Sequence, residues 1–271
     1  MNYMSRVSLI PGIAEQSQLA LMLMDNRYGM HRLLWDLFPG FDGQTRPFVF
    51  REERQQSDQG KQLPLFYVLS STPPVAESAL FQIETRPYAP SLAEGDQLAF
   101  RLRANPIVSR KQPGRKNSAS HDVVMDAQHQ CLVQLCQQAG VSSQGPKRAR
   151  IQRLQQLPAE QLTHLLAQAY PAEHAIALPA LLQQVQDQAL YDWLANRGVR
   201  NGYQLSISHG LECTGYQWNA LAEKSREAGF ASVDYEGVLN VTEPDLLTPM
   251  LLNGLGKARA FGCGLMMVRR I

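Results

Sequence analysis

Tyr28 and His31 stand three residues apart in a stretch where Met30, Leu33, Leu34 and Leu37 recur at helical spacing, so both side chains fall on one helix face. An imidazole can take and give a proton near neutral pH, and beside a phenolic hydroxyl it could support proton transfer without a metal. The pair also lies next to Trp35 and Phe38, and such a cluster is more often a helix surface or core edge. Spacing by itself leaves catalysis and packing both open. The other histidines lie in loops or in a helix-rich middle segment without an evident partner.

A second candidate is the run at residues 253–264, Asn-Gly-Leu-Gly-Lys-Ala-Arg-Ala-Phe-Gly-Cys-Gly. Gly254, Gly256, Gly262 and Gly264 permit close backbone approach to a phosphate, and Lys257 and Arg259 add positive charge. It is not a dinucleotide fingerprint, because it follows a helix rather than a first strand and has Arg259 where the third glycine would stand. A plain helix-to-strand connection is the competing reading.

The third candidate is a charge asymmetry. The 271 residues hold 26 Lys and Arg against 24 Asp and Glu, a net charge of only +2. Residues 97–159 nevertheless contain Arg101, Arg103, Arg110, Lys111, Arg115, Lys116, Lys147, Arg148, Arg150 and Arg153 against only Asp122 and Asp126, and residues 97–121 contain no acid. That segment carries +8 and the remainder −6, which suggests that a polyanion meets one part of the molecule. Arg101 and Arg103 alternate onto one strand face, and residues 110–116 form a basic Pro/Gly loop suited to phosphate contacts. A solvated charge run is the bland reading. The loop at 212–229 adds Lys224 and Arg226 beside Tyr216 and Trp218, and such a hairpin could enter an RNA groove or stack on a base.

These residues need elements to hold them. Strands are expected at 5–10, 48–53, 65–70, 79–85 and 97–105, with a helix ending at Phe38-Pro39-Gly40 and room for a short second helix at 75–78. That order suits a ferredoxin-like α+β unit. Residues 126–196 are rich in Gln, Leu and Ala with helical leucine spacing and breakers at Gly140, Pro158, Pro171 and Pro179, which predicts packed short helices. After them, strands at 203–208, 231–242 and 265–269 around a helix at 243–252 predict a second, smaller αβ unit. The expected organisation is an N-terminal ferredoxin-like domain over 1–120, a helical insertion over 126–190 and a C-terminal ferredoxin-like domain over 191–271, whose first helix falls near 186–197.

Other classes find no support. No apolar run approaches the roughly 18 residues of a membrane span, and no signal-peptide pattern opens the chain, so a cytosolic protein is expected. Cys131, Cys136, Cys213 and Cys263 lack zinc-site spacing and read as buried thiols. There is no H-E-x-x-H, phosphate-binding P-loop or nucleophile elbow, and no cofactor motif.

Four motifs in order make the chain resemble the CasE-type CRISPR-associated endoribonucleases, the repeat-processing subunits of type I-E interference complexes. They are residues 28–39 (Tyr-Gly-Met-His-Arg-Leu-Leu-Trp-Asp-Leu-Phe-Pro), 100–106 (Phe-Arg-Leu-Arg-Ala-Asn-Pro), 235–239 (Tyr-Glu-Gly-Val-Leu) and the glycine run up to Leu265. The resemblance covers roughly 1–120 and 190–271, whereas 126–190 looks longer than the family's segment. It implies tandem ferredoxin-like (RAMP) domains and metal-independent cleavage at the base of a CRISPR repeat RNA hairpin. In that chemistry the RNA's 2′-hydroxyl attacks the adjacent phosphate, leaving a 2′,3′-cyclic phosphate and a 5′-hydroxyl. His31 falls on the family's catalytic histidine and Tyr28 on the tyrosine that accompanies it in some members. The implied partners are crRNA and the other subunits of the complex. A non-catalytic hairpin-binding scaffold of the same fold is the alternative, and a subunit that docks through its helical insertion is a third reading.

Overall fold

The computed structural model describes residues 1–10, 32–41, 46–56, 60, 62–111, 118–169, 177–221 and 228–271. Tyr28, His31, Arg115, Lys116, Lys224 and Arg226 lie outside them. The chain forms two compact units, one made of residues 1–105 and 198–271, the other of residues 106–197.

In the first unit, β1 (Asn2–Leu9), β2 (Phe48–Gln56), β3 (Gln62–Ser70) and β4 (Phe81–Tyr88) make an antiparallel sheet in the order β2-β3-β1-β4. Alternation along β1 turns Ser5, Val7 and Leu9 to the buried side. Phe48, Phe50, Phe66, Val68 and Phe81 join them, and Leu34, Leu37 and Phe38, from the helical residues 32–35 and the turn after them, close the cluster. Phe38 stacks on Phe48 at 4.9 Å between ring centroids. Each fully buried ring contributes about 1.5–3 kcal/mol from lost apolar exposure. The short helix expected at 75–78 does not form. Pro73 and Pro74 supply no N–H there, and the Val75 N–H donates to the Leu37 carbonyl at 2.9 Å instead of to a helical turn.

The same unit holds a second sheet of β5 (Gln97–Ala104), β8 (Tyr203–Leu205), β10 (Gly229–Val241) and β11 (Met266–Arg270), ordered β11-β5-β10-β8, with β9 (Leu211–Ala220) added to β10. In each sheet the first strand in sequence lies between the third and the fourth, which is the ferredoxin-like order. β5 therefore pairs with β10 and β11, although the sequence reading grouped it with the strands before it. Its burial alternation is the same whichever sheet it joins, so composition cannot choose. β9 falls inside the segment read as a loop: it is mostly exposed and interrupted by Gly215 at φ 64°, so it lacks an apolar alternation.

The second unit contains a hairpin of β6 (Ile107–Lys111) and β7 (Ser118–Asp122), then α1 (Val123–Gln138), α2 (Lys147–Gln155), α3 (Ala159–Ala169) and most of α4 (Leu178–Asn201). Asp122 caps α1, its Oδ1 accepting from the Val124 and Met125 N–H groups at 2.9 Å each. Leu132, Leu135, Leu154, Leu166 and Leu181 form its core. Among the described residues no helix is long and apolar enough to cross a membrane.

Candidate nucleic-acid interface

The glycine run connects α5 (Pro244–Asn253) to β11 and is held at both ends. Gly254, at φ 77°, returns its N–H to the Met250 carbonyl at 2.8 Å. The Leu255 N–H reaches the Gly264 carbonyl at 2.8 Å, and the Gly264 N–H reaches the Arg103 carbonyl at 2.7 Å. Leu255, Cys263 and Leu265 are buried, and Phe261 stacks on Phe230 at 5.0 Å. Gly264 sits at φ 98°, and a Cβ there would stand 2.8 Å from the Leu255 carbonyl oxygen, so this glycine is required by the loop's own packing. Ala258, at φ 59°, precedes the 3₁₀ turn Arg259–Phe261.

The anchors leave Lys257 and Arg259 exposed. Both line a cavity of about 790 Å³ that also touches Asn253, Phe48, Val49 and Leu69. The Arg259 guanidinium donates to the Asn253 carbonyl at 2.6 Å, satisfying the end of α5 while keeping its charge at the rim. Among the described residues no Asp or Glu lines this cavity.

Arg101 and Arg103 share one face of β5, as the alternation predicts, but in different settings. Arg101 is opposite Glu236 in the ladder and pairs with it at 3.1 Å, with the arginine side chain 59% exposed. Arg103 grips Asp234 through Nε and Nη2 at 2.9–3.2 Å and donates through Nη1 to the Glu52 carbonyl at 3.2 Å. Burial works against the Arg103 charge, but hydrogen bonds and charge from Asp234, with Glu52 beyond, offset it and hold the pKa above the ordinary arginine value. Asp234 also accepts Arg51 at 3.1 Å, and Arg51 pairs with Glu53 as well. Arg103 is thus a tie between the two sheets, a role that the basic-block reading missed because Asp234 is 131 residues away.

In the second unit, Arg110 pairs with Asp126 at 2.7 Å, and Lys111 lies exposed at the end of β6. The basic stretch of α2 is largely turned to internal use. Lys147 donates to Gln128 at 2.6 Å, Arg150 to the Ser143 carbonyl at 2.6 Å, and Arg153 to the Ser142 and Gln144 carbonyls at 2.8 and 2.6 Å. Cys136 and Cys263 are buried, and Cys131 and Cys213 are partly so. Burial raises the thiol pKa of both Cys131 and Cys136.

Two sheets of one ferredoxin-like order, with a cationic glycine loop before the last strand, define a tandem ferredoxin-like protein. The model of the family described as CRISPR associated protein matches residues 2–270, and the chain belongs to that family. It is 24% identical over 240 residues to the CRISPR system Cascade subunit CasE of Escherichia coli K12, covering 88% of this chain and 89% of that one. Among solved structures it is similar to Thermus thermophilus Cse3 bound to an RNA representing a pre-cleavage complex, with TM-score 0.58 and 20% identity over 99% of this chain and 98% of that one. It is also similar to the CRISPR-associated protein Cas6e from Escherichia coli K-12, with TM-score 0.53 and 20% identity over 99% and 100%. The expected fold and resemblance therefore hold.

Proposed function

We propose that the protein is a metal-independent endoribonuclease that cuts CRISPR repeat hairpins in precursor CRISPR RNA and stays bound to the mature crRNA as a subunit of a type I-E interference complex. The observation that carries this reading is membership of the CRISPR associated family along essentially the whole chain, with the Cse3 relative solved on a pre-cleavage RNA. The nucleophile resides in the substrate, so the protein supplies orientation and proton transfer. The RNA 2′-oxygen bonds to the adjacent phosphorus, and the bond from phosphorus to the 5′-oxygen breaks. His31 gives a proton to the departing 5′-oxygen, and Tyr28 orients or activates the 2′-hydroxyl. Lys257, Arg259, Arg101, Arg110 and Lys111 contact RNA phosphates, with Arg115, Lys116, Lys224 and Arg226 on the neighbouring chain segments. Gly254 and Gly256 hold the loop in place, and Arg103 contributes by fixing β5 against β10.

His31→Ala is expected to abolish cleavage of a repeat RNA in EDTA while leaving hairpin binding largely intact. Undiminished cleavage would refute the assignment, and activity lost in EDTA but restored by magnesium would refute the 2′-hydroxyl route. A 5′-bridging phosphorothiolate, whose sulfur leaves without needing a proton, is expected to rescue His31→Ala if His31 is the acid. A repeat with a 2′-deoxy cleavage nucleotide should bind without being cut. Equal cutting of deoxy and ribo substrates would remove the mechanism, and cutting of neither would leave the scaffold alternative.

A further inference from the structure

Arg46 is a residue that sequence patterns did not single out, and it faces the glycine loop across the cavity. Pro47 follows it and restricts Arg46 toward extended backbone. The Pro47 carbonyl accepts from the Ser71 N–H at 3.0 Å and from its hydroxyl at 3.4 Å, so the start of β2 is pinned and Arg46 leaves it at a defined place. The Nε of Arg46 is buried and has no hydrogen-bond partner among the described residues. Burying a guanidinium donor unpaired is costly, and native proteins rarely tolerate it without a use.

The surroundings deepen that cost. Burial, and then the nearby charge of Arg259, lower the Arg46 pKa from its ordinary value. Lys257 lines the same cavity, so three cations converge there, with no carboxylate among the described lining residues. By comparison, Arg6 pairs with Glu84, Arg51 with Glu53 and Asp234, and Arg101 with Glu236. Clustered cations suit an anion, and a phosphate can take two parallel bonds from one guanidinium. The cavity volume of about 790 Å³ lies within the usual range of ligand sites, and Phe48 and Phe261 give it an apolar wall for a sugar or base.

We propose that Arg46 completes, with Lys257 and Arg259, a subsite that holds one RNA backbone phosphate between the start of β2 and the glycine loop. The proposal rests on the RNA-processing reading above and adds a ligand that comes from the N-terminal sheet. Its test uses the full chain and a repeat hairpin made uncuttable by a 2′-deoxy nucleotide, with the dissociation constant measured across a sodium chloride series. Arg46→Gln is expected to weaken binding about tenfold at low salt and to flatten the slope of log K against log salt by about 0.7–0.9, the contribution of one phosphate contact. Arg46→Lys is expected to restore most of the slope. Without RNA, Arg46→Gln should melt at or above the wild-type temperature, because a like-charge contact is relieved; a purely structural arginine would melt lower. An unchanged slope in Arg46→Gln, or a lowered melting point with no loss of RNA affinity, would overturn the proposal. If wild-type protein neither bound the hairpin nor cut its all-ribo form, the RNA-processing reading itself would fail. If wild-type did both and Arg46→Gln were indistinguishable from it, only the subsite would fail.

Discussion

Arg101 and Arg103 are two residues apart on one strand face, yet solvent separates their roles. The Arg101–Glu236 pair is exposed, with side chains 59% and 42% accessible, so it contributes at most about 1 kcal/mol and Arg101 can leave it to meet a phosphate. Asp234 holds both Arg103 and Arg51, and the Arg51 side chain is only 4% accessible. Removing that carboxylate leaves the buried Arg51 guanidinium with Glu53 alone and Arg103 with only the Glu52 carbonyl, and breaking one side of such a pair costs about 3 kcal/mol. Asp234→Ala is therefore expected to lower stability by about 3 kcal/mol in a urea titration, whereas Arg101→Ala should shift it by less than about 1 kcal/mol. Equal effects would show that the inter-sheet tie is not what distinguishes them. The alternation that placed both arginines on one face was legible in the sequence. Which of them met a partly buried acid shared with Arg51 was not, because that acid comes from β10 and Arg51 from β2, both far along the chain from β5.

At the scale of elements, the last strand shows how a short connection fixes the sheet that carries the glycine loop. The Asp96 carboxylate accepts the Ala93 N–H at 2.9 Å and Arg270 of β11 at 2.7 Å, and Arg270 also reaches the Ser91 carbonyl at 2.6 Å. The Ala93 hydrogen bond first, then that from Arg270, hold the Asp96 pKa below its ordinary value. A carboxylate depressed on folding stabilises the fold above its unfolded pKa and loses that contribution as pH falls through the lower folded value. The melting points of wild-type and Asp96→Asn are expected to differ at neutral pH and to converge in acid below the ordinary carboxylate range; a constant gap would exclude this linkage. Apolar alternation made most strands legible within a few residues. The β6–β7 hairpin and β9 were not, because solvent-facing strands carry no alternation, and the expected helix at 75–78 gave way to paired prolines.

Over the whole molecule, the positive surplus at 97–159 crosses from one compact unit into the other and serves different ends in each. Much of the α2 charge ties down residues 142–144, and Gln128 takes Lys147. The second unit has its own core, so its stability can be probed locally. Leu154 is fully buried, and Leu154→Ala is expected to cost about 2–5 kcal/mol, seen as faster amide exchange in α1, α2 and α3 with β1 to β4 unchanged. Uniform acceleration through both units would instead mean a single cooperative fold. The tandem αβ plan, the helical middle and a cationic glycine loop can be read from the residues in order, because periodicity, breakers and charge are local properties. That β5 belongs to the second sheet, that Arg103 is bound to Asp234, and that Arg46 lines one cavity with Lys257 and Arg259 emerges from the folded chain alone. Those outcomes depend on which distant segments pair and which charges are buried together, and no local spacing encodes either.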